Sequence, residues 1–431
     1  MRLFALPGIA LSRLKARALR EHYWVLRDHL LRLGRLPDHP AFARQVWLDQ
    51  WRFVTNRVQP VDGACRQRAH AAAEWLVRAW ESTPDDGVSM GFFPCDPPGS
   101  SPLGNGWRPS YPETTGYIIV SLLDYAIRFS DALMRERVLA MAHWEAEIQM
   151  ASGAVQGGAV TTPDRQRPAV FNTGMVLQGL AAILQHEPDA RLERAARRAA
   201  DFLLADMDAD GHLRSHGQFV VVQPIKTYNC LCAWGLHQFG TLVQESRYRQ
   251  AAVRIAHASM RLQRVNGWFP HNCLSREEAP LTHTIGYTLQ GLLETGAAAG
   301  DEALIHAARL GMEPILAAIS PDGFLPGRFH ADWTPASFSS CLTGSAQLAV
   351  VCFRLFQILG DATFLEAGHR LLDYLKGVQV TAPATSPMRG ALAGSFPMFF
   401  GEYQSAGFPN WATKYLLDGL LLQDRIIEGR A

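Results

Sequence analysis

The chain has 431 residues, 48% hydrophobic and 19% charged, a balance that excludes a disordered or fibrous protein and suffices for a large core. Forty-one Lys and Arg against 40 Asp and Glu leave a formal charge of +1, so there is no global basic field to drive non-specific nucleic-acid binding. Apolar runs such as Leu348–Phe353 end quickly, here at Arg354, and none has the length of a membrane span. Seven cysteines are an odd and sparse set, which predicts free thiols rather than a disulfide framework.

At the start, Met1–Leu11 is apolar but short, broken by Pro7 and Gly8, without the small-residue cleavage pattern of a secretory signal. The expectation is a cytoplasmic protein. Arg13, Lys15, Arg17, Arg20, Arg27, Arg32 and Arg35 then interleave with Leu11, Leu14, Leu19, Trp24, Leu26, Leu30 and Leu31, predicting a basic amphipathic helix in an extension over residues 1–60. Its expected berth is the chain's own domain; the alternative is peripheral contact with an anionic membrane surface.

From residue 61 onward the chain repeats itself. Six segments open an apolar helix with small or polar residues: Glu113-Thr-Thr-Gly116, Asn172-Thr-Gly174, Tyr228-Asn-Cys230, His283-Thr-Ile-Gly286, Leu342-Thr-Gly344 and Trp411-Ala-Thr-Lys414. Their anchors Gly116, Gly174, Cys230, Gly286, Gly344 and Lys414 are 58, 56, 56, 58 and 70 residues apart. More charged helical stretches, such as Ala190–Leu204 and Arg247–Leu262, precede several of them, so each repeat carries two helices. Asp86-Gly87, Asp210-Gly211, Asn266-Gly267 and Asp322-Gly323 mark turns between, where Gly accepts a positive φ. An apolar second helix cannot be buried by its own hairpin alone. Residues 61–431 are therefore predicted to form an all-α (α/α)6 toroid, six apolar helices inside and six charged ones outside, with an open superhelical solenoid as the alternative.

In a toroid the inner helices start at one end, so the residues just before the anchors converge there. Four positions before stand Pro112, Val170, Lys226, Thr282, Ser340 and Asn410; three before, Glu113, Phe171, Thr227, His283, Cys341 and Trp411; two before, Thr114, Asn172, Tyr228, Thr284, Leu342 and Ala412. Helix N-termini gathered around one cavity favour an anionic ligand or transition state. Thr114, Asn172 and Thr284 read equally as N-caps. Lys414 is a cation on an apolar helix and needs a partner or a ligand. Loops nearby add Trp107, Arg108 and Tyr111, then Arg328, His330, Asp332 and Trp333, then Glu402 and Tyr403; rings beside carboxylates and Arg suit a sugar cleft. Cys230-x-Cys232 and His271-x-Cys273 lack zinc-site spacing, and no nucleotide, hydrolase-elbow or zincin motif occurs, so no metal and no cofactor are expected.

Tyr111-Pro-Glu-Thr-Thr-Gly-Tyr117, Phe171-Asn-Thr-Gly174, His283-Thr-Ile-Gly-Tyr287 and Asn410-Trp-Ala-Thr-Lys414 resemble (α/α)6-toroid proteins found with bacterial exopolysaccharide genes, over roughly residues 60 to 425. The resemblance implies a carbohydrate-active enzyme with a polysaccharide or oligosaccharide substrate. Hydrolysis needs an acid and a second carboxylate, for which Glu113 pairs with Glu402 or Asp332. Elimination or epimerisation of a uronate needs a base at the C5 proton, for which Tyr228 or His283 serves. Asn172, Asn229, Arg328 or Lys414 then holds the uronate, with Tyr111, Trp107, Lys226, His271, Tyr403, Asn410 and Trp411 as further substrate-binding residues. The residues leave both mechanisms open, with hydrolysis slightly favoured. Two readings of other classes stand beside them. One is a terpenoid or prenyl-substrate cyclase with Phe171, Trp234, Trp268, Phe338 and Trp411 lining a dry cavity; the other is a non-catalytic glycan-binding toroid.

Overall fold

The computed structural model describes residues 29–96, 103–104, 106–217, 225–274 and 279–429. Residues 29–35 are helical and lead through a turn at Leu36–Asp38 into α1 (Pro40–Val54). Six hairpins follow: α2 (Cys65–Glu81) with α3 (Pro112–Phe129), α4 (Ala132–Ile148) with α5 (Val170–Leu184), α6 (Ala190–Asp206) with α7 (Leu231–Leu242), α8 (Ser246–Met260) with α9 (Thr282–Ala299), α10 (Glu302–Ala318) with α11 (Leu342–Leu359), and α12 (Ala362–Val378) with α13 (Asn410–Ile427).

Composition decides which helix goes inside. Helix α6 is Arg- and Glu-rich but buries Leu192, Ala195, Ala196, Ala199, Ala200 and Leu203, one stripe at helical spacing, so only that side faces the core. Helix α5 carries no charged residue and buries every residue but Ala182. Each inner helix packs on the next, and α13 packs back on both α2 and α3. The ring is therefore closed, which decides for the toroid over the open solenoid. A short antiparallel pair, Gly91–Phe92 with Phe408–Pro409, seals the same seam. Among the described residues one helix, α11, is long and apolar enough to cross a membrane; 72% of it is buried as an inner helix.

The anchor glycines are points of contact between inner helices. A Cβ on Gly116 would lie 2.6 Å from Val176 Cα, and one on Gly174 would lie 2.6 Å from Cys232. Thr115, Thr173 and Thr413, one residue before their anchors, accept the main-chain N–H of Val88, Val155 and Leu392 at 2.9, 2.9 and 3.0 Å, tying each incoming loop to its inner helix. At the opposite end the connections are tight. Asp131, Asp189, Asp301 and Asp361 cap the outer helices α4, α6, α10 and α12 through their carboxylates.

Two local expectations are corrected. Thr114 and Thr284 do not cap: their hydroxyls donate to the carbonyls of Tyr111 and Leu281, and Asn172 donates to Gln156 O at 2.8 Å. Gly211, Gly267 and Gly323 do take positive φ, but Gly87 does not; its backbone sits against the Trp144 ring.

Of the basic amphipathic helix, the segment from Leu11 to Arg27 lies outside the described residues. Arg32 is described, and donates to Ser405 O and Oγ at 2.8 Å. Helix α1 lies over the sixth-repeat loop: Phe42 meets the Phe408 ring at 6.1 Å, Phe53 meets Phe396 at 5.7 Å, and Asp49 accepts the Met398 N–H at 2.5 Å. That loop carries Tyr403 and Gln404 to the mouth of the toroid.

Candidate active site

The inner-helix N-termini surround a cavity of about 330 Å³, at the lower end of the range for small-ligand sites. Four of the residues three positions before an anchor line it: Glu113 on α3, Phe171 on α5, His283 on α9 and Trp411 on α13. In the third repeat a 3-10 turn, Thr227–Cys230, replaces the first helical turn. Tyr228 and Asn229 line the cavity there. Asn172, Tyr111 and Tyr403 complete the predicted residues that the fold brings together.

One helical turn deeper, the residues just after three anchors are tyrosines: Tyr117, Tyr287 and Tyr415. Positions i and i+4 share a helix face, so each stands beneath its wall residue. Tyr287 lies 4.2 Å from the His283 ring and 4.7 Å from that of Phe171, and its ring is 6.2 Å from that of Tyr415, which is 6.0 Å from that of Tyr117. Tyr287 lines the cavity and closes it from below.

Glu113 is the one carboxylate among the lining residues. No hydrogen bond or ion pair with another described residue reaches it, and burial alone pushes its carboxyl up to about 8. Burial likewise raises the phenols of Tyr111, Tyr228, Tyr287 and Tyr403, and the nearby Glu113 charge raises each further. His283 is pushed down to about 3, first by burial, with Lys414 adding to the effect and Gln347 opposing it. At neutral pH the cavity therefore presents a protonated acid, protonated phenols and an uncharged imidazole.

The partner of that imidazole is Gln347, whose amide lies 3.2 Å from Nδ1. The His283 carbonyl is also 3.1 Å away, and the NH2 end of the amide satisfies both acceptors when the Gln290 amide, 2.9 Å from that of Gln347, is turned with it. His283 then carries its proton on Nε2 and is a hydrogen-bond donor. Asn229 offers the opposite: its Oδ1 is buried with no hydrogen-bond partner among the described residues, an acceptor left open beside the cavity.

Other sequence candidates lie elsewhere. Arg328, His271 and Glu402 line a separate rim pocket, where Arg328 Nε meets Glu402 Oε2 at 3.2 Å. Asp332 is exposed and bonded to Thr334 N and Oγ1, so neither proposed partner carboxylate faces Glu113 across the cavity. Lys226 donates to Cys273 O, and Asn410 to Ser89 O and Thr114 Oγ1, both as fold contacts. Trp107 packs on Trp75 and Phe92. Lys414 turns from the cavity to Asp418 at 2.6 Å. Of the rings assigned to a cyclase, Phe171 and Trp411 line the cavity, Trp268 lines the rim pocket, Trp234 stands at the opposite end of the toroid, and Phe338 is exposed.

Tyr287 and His216 line the cavity without having been singled out. The signal for Tyr287 was present, since tyrosine follows the anchor in three repeats; His216 lies on a loop with no repeat position. Among the described residues no group of three or more His, Cys, Asp or Glu is arranged to hold a metal ion.

Fold and site together define an (α/α)6 toroid with an acid-bearing cavity at the inner-helix N-termini. No protein-family model and no curated protein matches the chain. Its fold is that of solved carbohydrate-active enzymes. It superposes on the unsaturated glucuronyl hydrolase of Bacillus sp. GL1 with a TM-score of 0.64 and 18% identity, over 85% of this chain and 97% of that one. Cellobiose 2-epimerase from Spirochaeta thermophila and a D-mannose isomerase each give 0.64 at 13% identity, over 84% of this chain and 98% of theirs. At these identities the likeness is one of fold.

Proposed function

We propose that the chain is a carbohydrate-active hydrolase that removes one unsaturated sugar from the end of an oligosaccharide, with Glu113 as the proton donor. The observation that carries this is a single carboxylic acid, held protonated to about pH 8, in a small ring-lined cavity with no second carboxylate in its lining. Hydrolysis of an ordinary glycoside calls on two carboxylates. An enol ether needs one acid at a time: the proton passes to the ring carbon of the double bond, and the adjacent ether carbon becomes an oxocarbenium ion. Water adds there and returns its proton to the Glu113 carboxylate. The resulting hemiketal opens by breaking its ring C–O bond, and the hemiacetal this leaves at the anomeric carbon collapses to an aldehyde and expels the attached sugar as an alcohol. The net change is one water added.

The raised phenols and the depressed imidazole leave no strong base at neutral pH, which supports protonation over abstraction of a C5 proton. His283 Nε2–H and Asn172 supply donors to the sugar, Asn229 Oδ1 an acceptor, and the inner-helix N-termini positive potential for a uronate. Among the solved structures of this fold, several are named unsaturated glucuronyl hydrolases. The cyclase reading shares the acid, but phenol hydroxyls, asparagine amides and an open acceptor suit a saccharide better than a polyene.

The test is incubation with oligosaccharides ending in an unsaturated uronate, beside their saturated counterparts. Ultraviolet absorbance of the double bond and product mass are followed. Loss of absorbance with one water gained, abolished by Glu113→Gln, is expected. Cleavage of the saturated compounds alone would overturn the enol-ether assignment, and full activity of the Gln variant would overturn the role of Glu113.

A further inference from the structure

The toroid has a further concavity, of about 490 Å³, at the C-terminal ends of the inner helices, and all six inner helices line it. Tyr117 and Tyr415 lie toward the catalytic cavity from it, with the Lys414 ammonium 5.1 and 4.0 Å from their ring centres. The proposed chemistry uses nothing in it.

Its charges are matched. Arg354 makes a two-point pair with Glu294 at 2.8 and 3.0 Å, Lys414 pairs with Asp418 at 2.6 Å, and Arg425 pairs with Asp124. Three cations against three carboxylates leave no net charge to attract an ion. On the wall formed by α5 and α7 the polar groups are open instead. Gln178 is 5% exposed, its amide opens onto the concavity, and no hydrogen bond from a described residue reaches it. Trp234 and Gln238, one turn apart on α7, also lack hydrogen-bond partners for the indole N–H and the amide among the described residues. Gly235 fixes this wall, since a Cβ there would stand 3.0 Å from Gln178 Cα and Cβ. Two unpaired amides and an indole N–H that open onto one concavity beside an aromatic ring are the groups a hydroxyl-bearing ligand engages.

We propose that this end of the toroid is a second binding site, for a neutral saccharide. The apolar C–H face of a pyranose packs on the Trp234 ring, and its hydroxyls engage the Gln178 and Gln238 amides and the outward lone pairs of the ion-paired carboxylates. The absence of net charge selects an uncharged sugar over a uronate, so this site and the catalytic cavity differ in the ligand they take.

The experiment titrates the full chain with cellotriose, maltotriose and mannotriose, and with a hyaluronan tetrasaccharide as the anionic comparison, by saturation-transfer NMR and indole fluorescence. At least one neutral trisaccharide binds. Trp234→Ala and Gln178→Ala each weaken that binding about tenfold, while Trp234→Phe, which keeps a ring, retains it. Trp411→Ala, in the catalytic cavity, leaves it unchanged. Melting curves of Gln178→Ala and Trp234→Phe that overlay the parent's separate lost binding from lost fold. Failure of all three neutral sugars to bind overturns the proposal. So does loss of binding on Trp411→Ala but not Trp234→Ala, or a preference for the anionic tetrasaccharide at this wall.

Discussion

Glu113 does two opposed things at once. Its proton is released at about 8 rather than at the ordinary 4.5, so the acid is available through neutrality. Because the reaction needs the protonated form, kcat/KM is expected to be flat across neutral pH and to fall as pH rises through about 8; His283, titrating near 3, adds no second limb there. A rate profile on the unsaturated substrate reads both statements. The same shift destabilises the fold. Above 4.5 the unfolded chain ionises while the native carboxyl stays protonated, so the penalty grows with pH until about 8 and then levels. Glu113→Gln removes it, and the inactive variant is expected to melt higher than the parent by on the order of 2 °C near pH 7.5 and no higher near pH 4. Asn229→Ala closes an acceptor that only the ligand uses; an increase in KM of about tenfold, larger than the change in kcat, is the expected reading.

Among the elements, the inner helices were the most legible part of the sequence. Their openings recur at nearly constant spacing, and a helix without charged residues, such as α5, has no side suited to bulk solvent. The wall residues Glu113, Phe171, His283 and Trp411 followed from the anchors, because one offset on equivalent helices is one height in the cavity. The loop residues were not readable this way. Arg328, Asp332 and Glu402 have the chemistry of a sugar site, but their positions depend on long connections that no period constrains. Lys414 was legible as a charge in need of a partner, and the partner, Asp418, lay four residues on. Five of the six anchors read as small residues, without the reason for it. That reason is testable: Gly116→Ala drives a Cβ into the α5 backbone and is expected to cost about 1–3 kcal/mol by urea unfolding. Asp301→Ala, which strips one outer-helix cap, is expected to cost about 1 kcal/mol.

At the scale of the molecule, closure of the ring is the dominant fact. Helix α13 packs on α2 and α3, and Asn410 donates to Ser89 O at 2.8 Å and Thr114 Oγ1 at 2.7 Å, so the last repeat is held by the first. An open array sheds a terminal repeat and keeps the rest; here, deleting residues 362–431 exposes the apolar faces of α2, α3 and α11 together. The truncated chain is expected to lose cooperative thermal unfolding, and a sharp transition in it would contradict the closed ring. Four of the six repeats also deliver a wall residue from the same register, on a helix whose backbone contacts lie one turn away at the anchor. Substitution at one wall position therefore leaves the neighbouring walls in place. In evolutionary terms the cavity is assembled from nearly independent letters, and a lineage of such toroids can change its chemistry one wall at a time without crossing an unfolded intermediate.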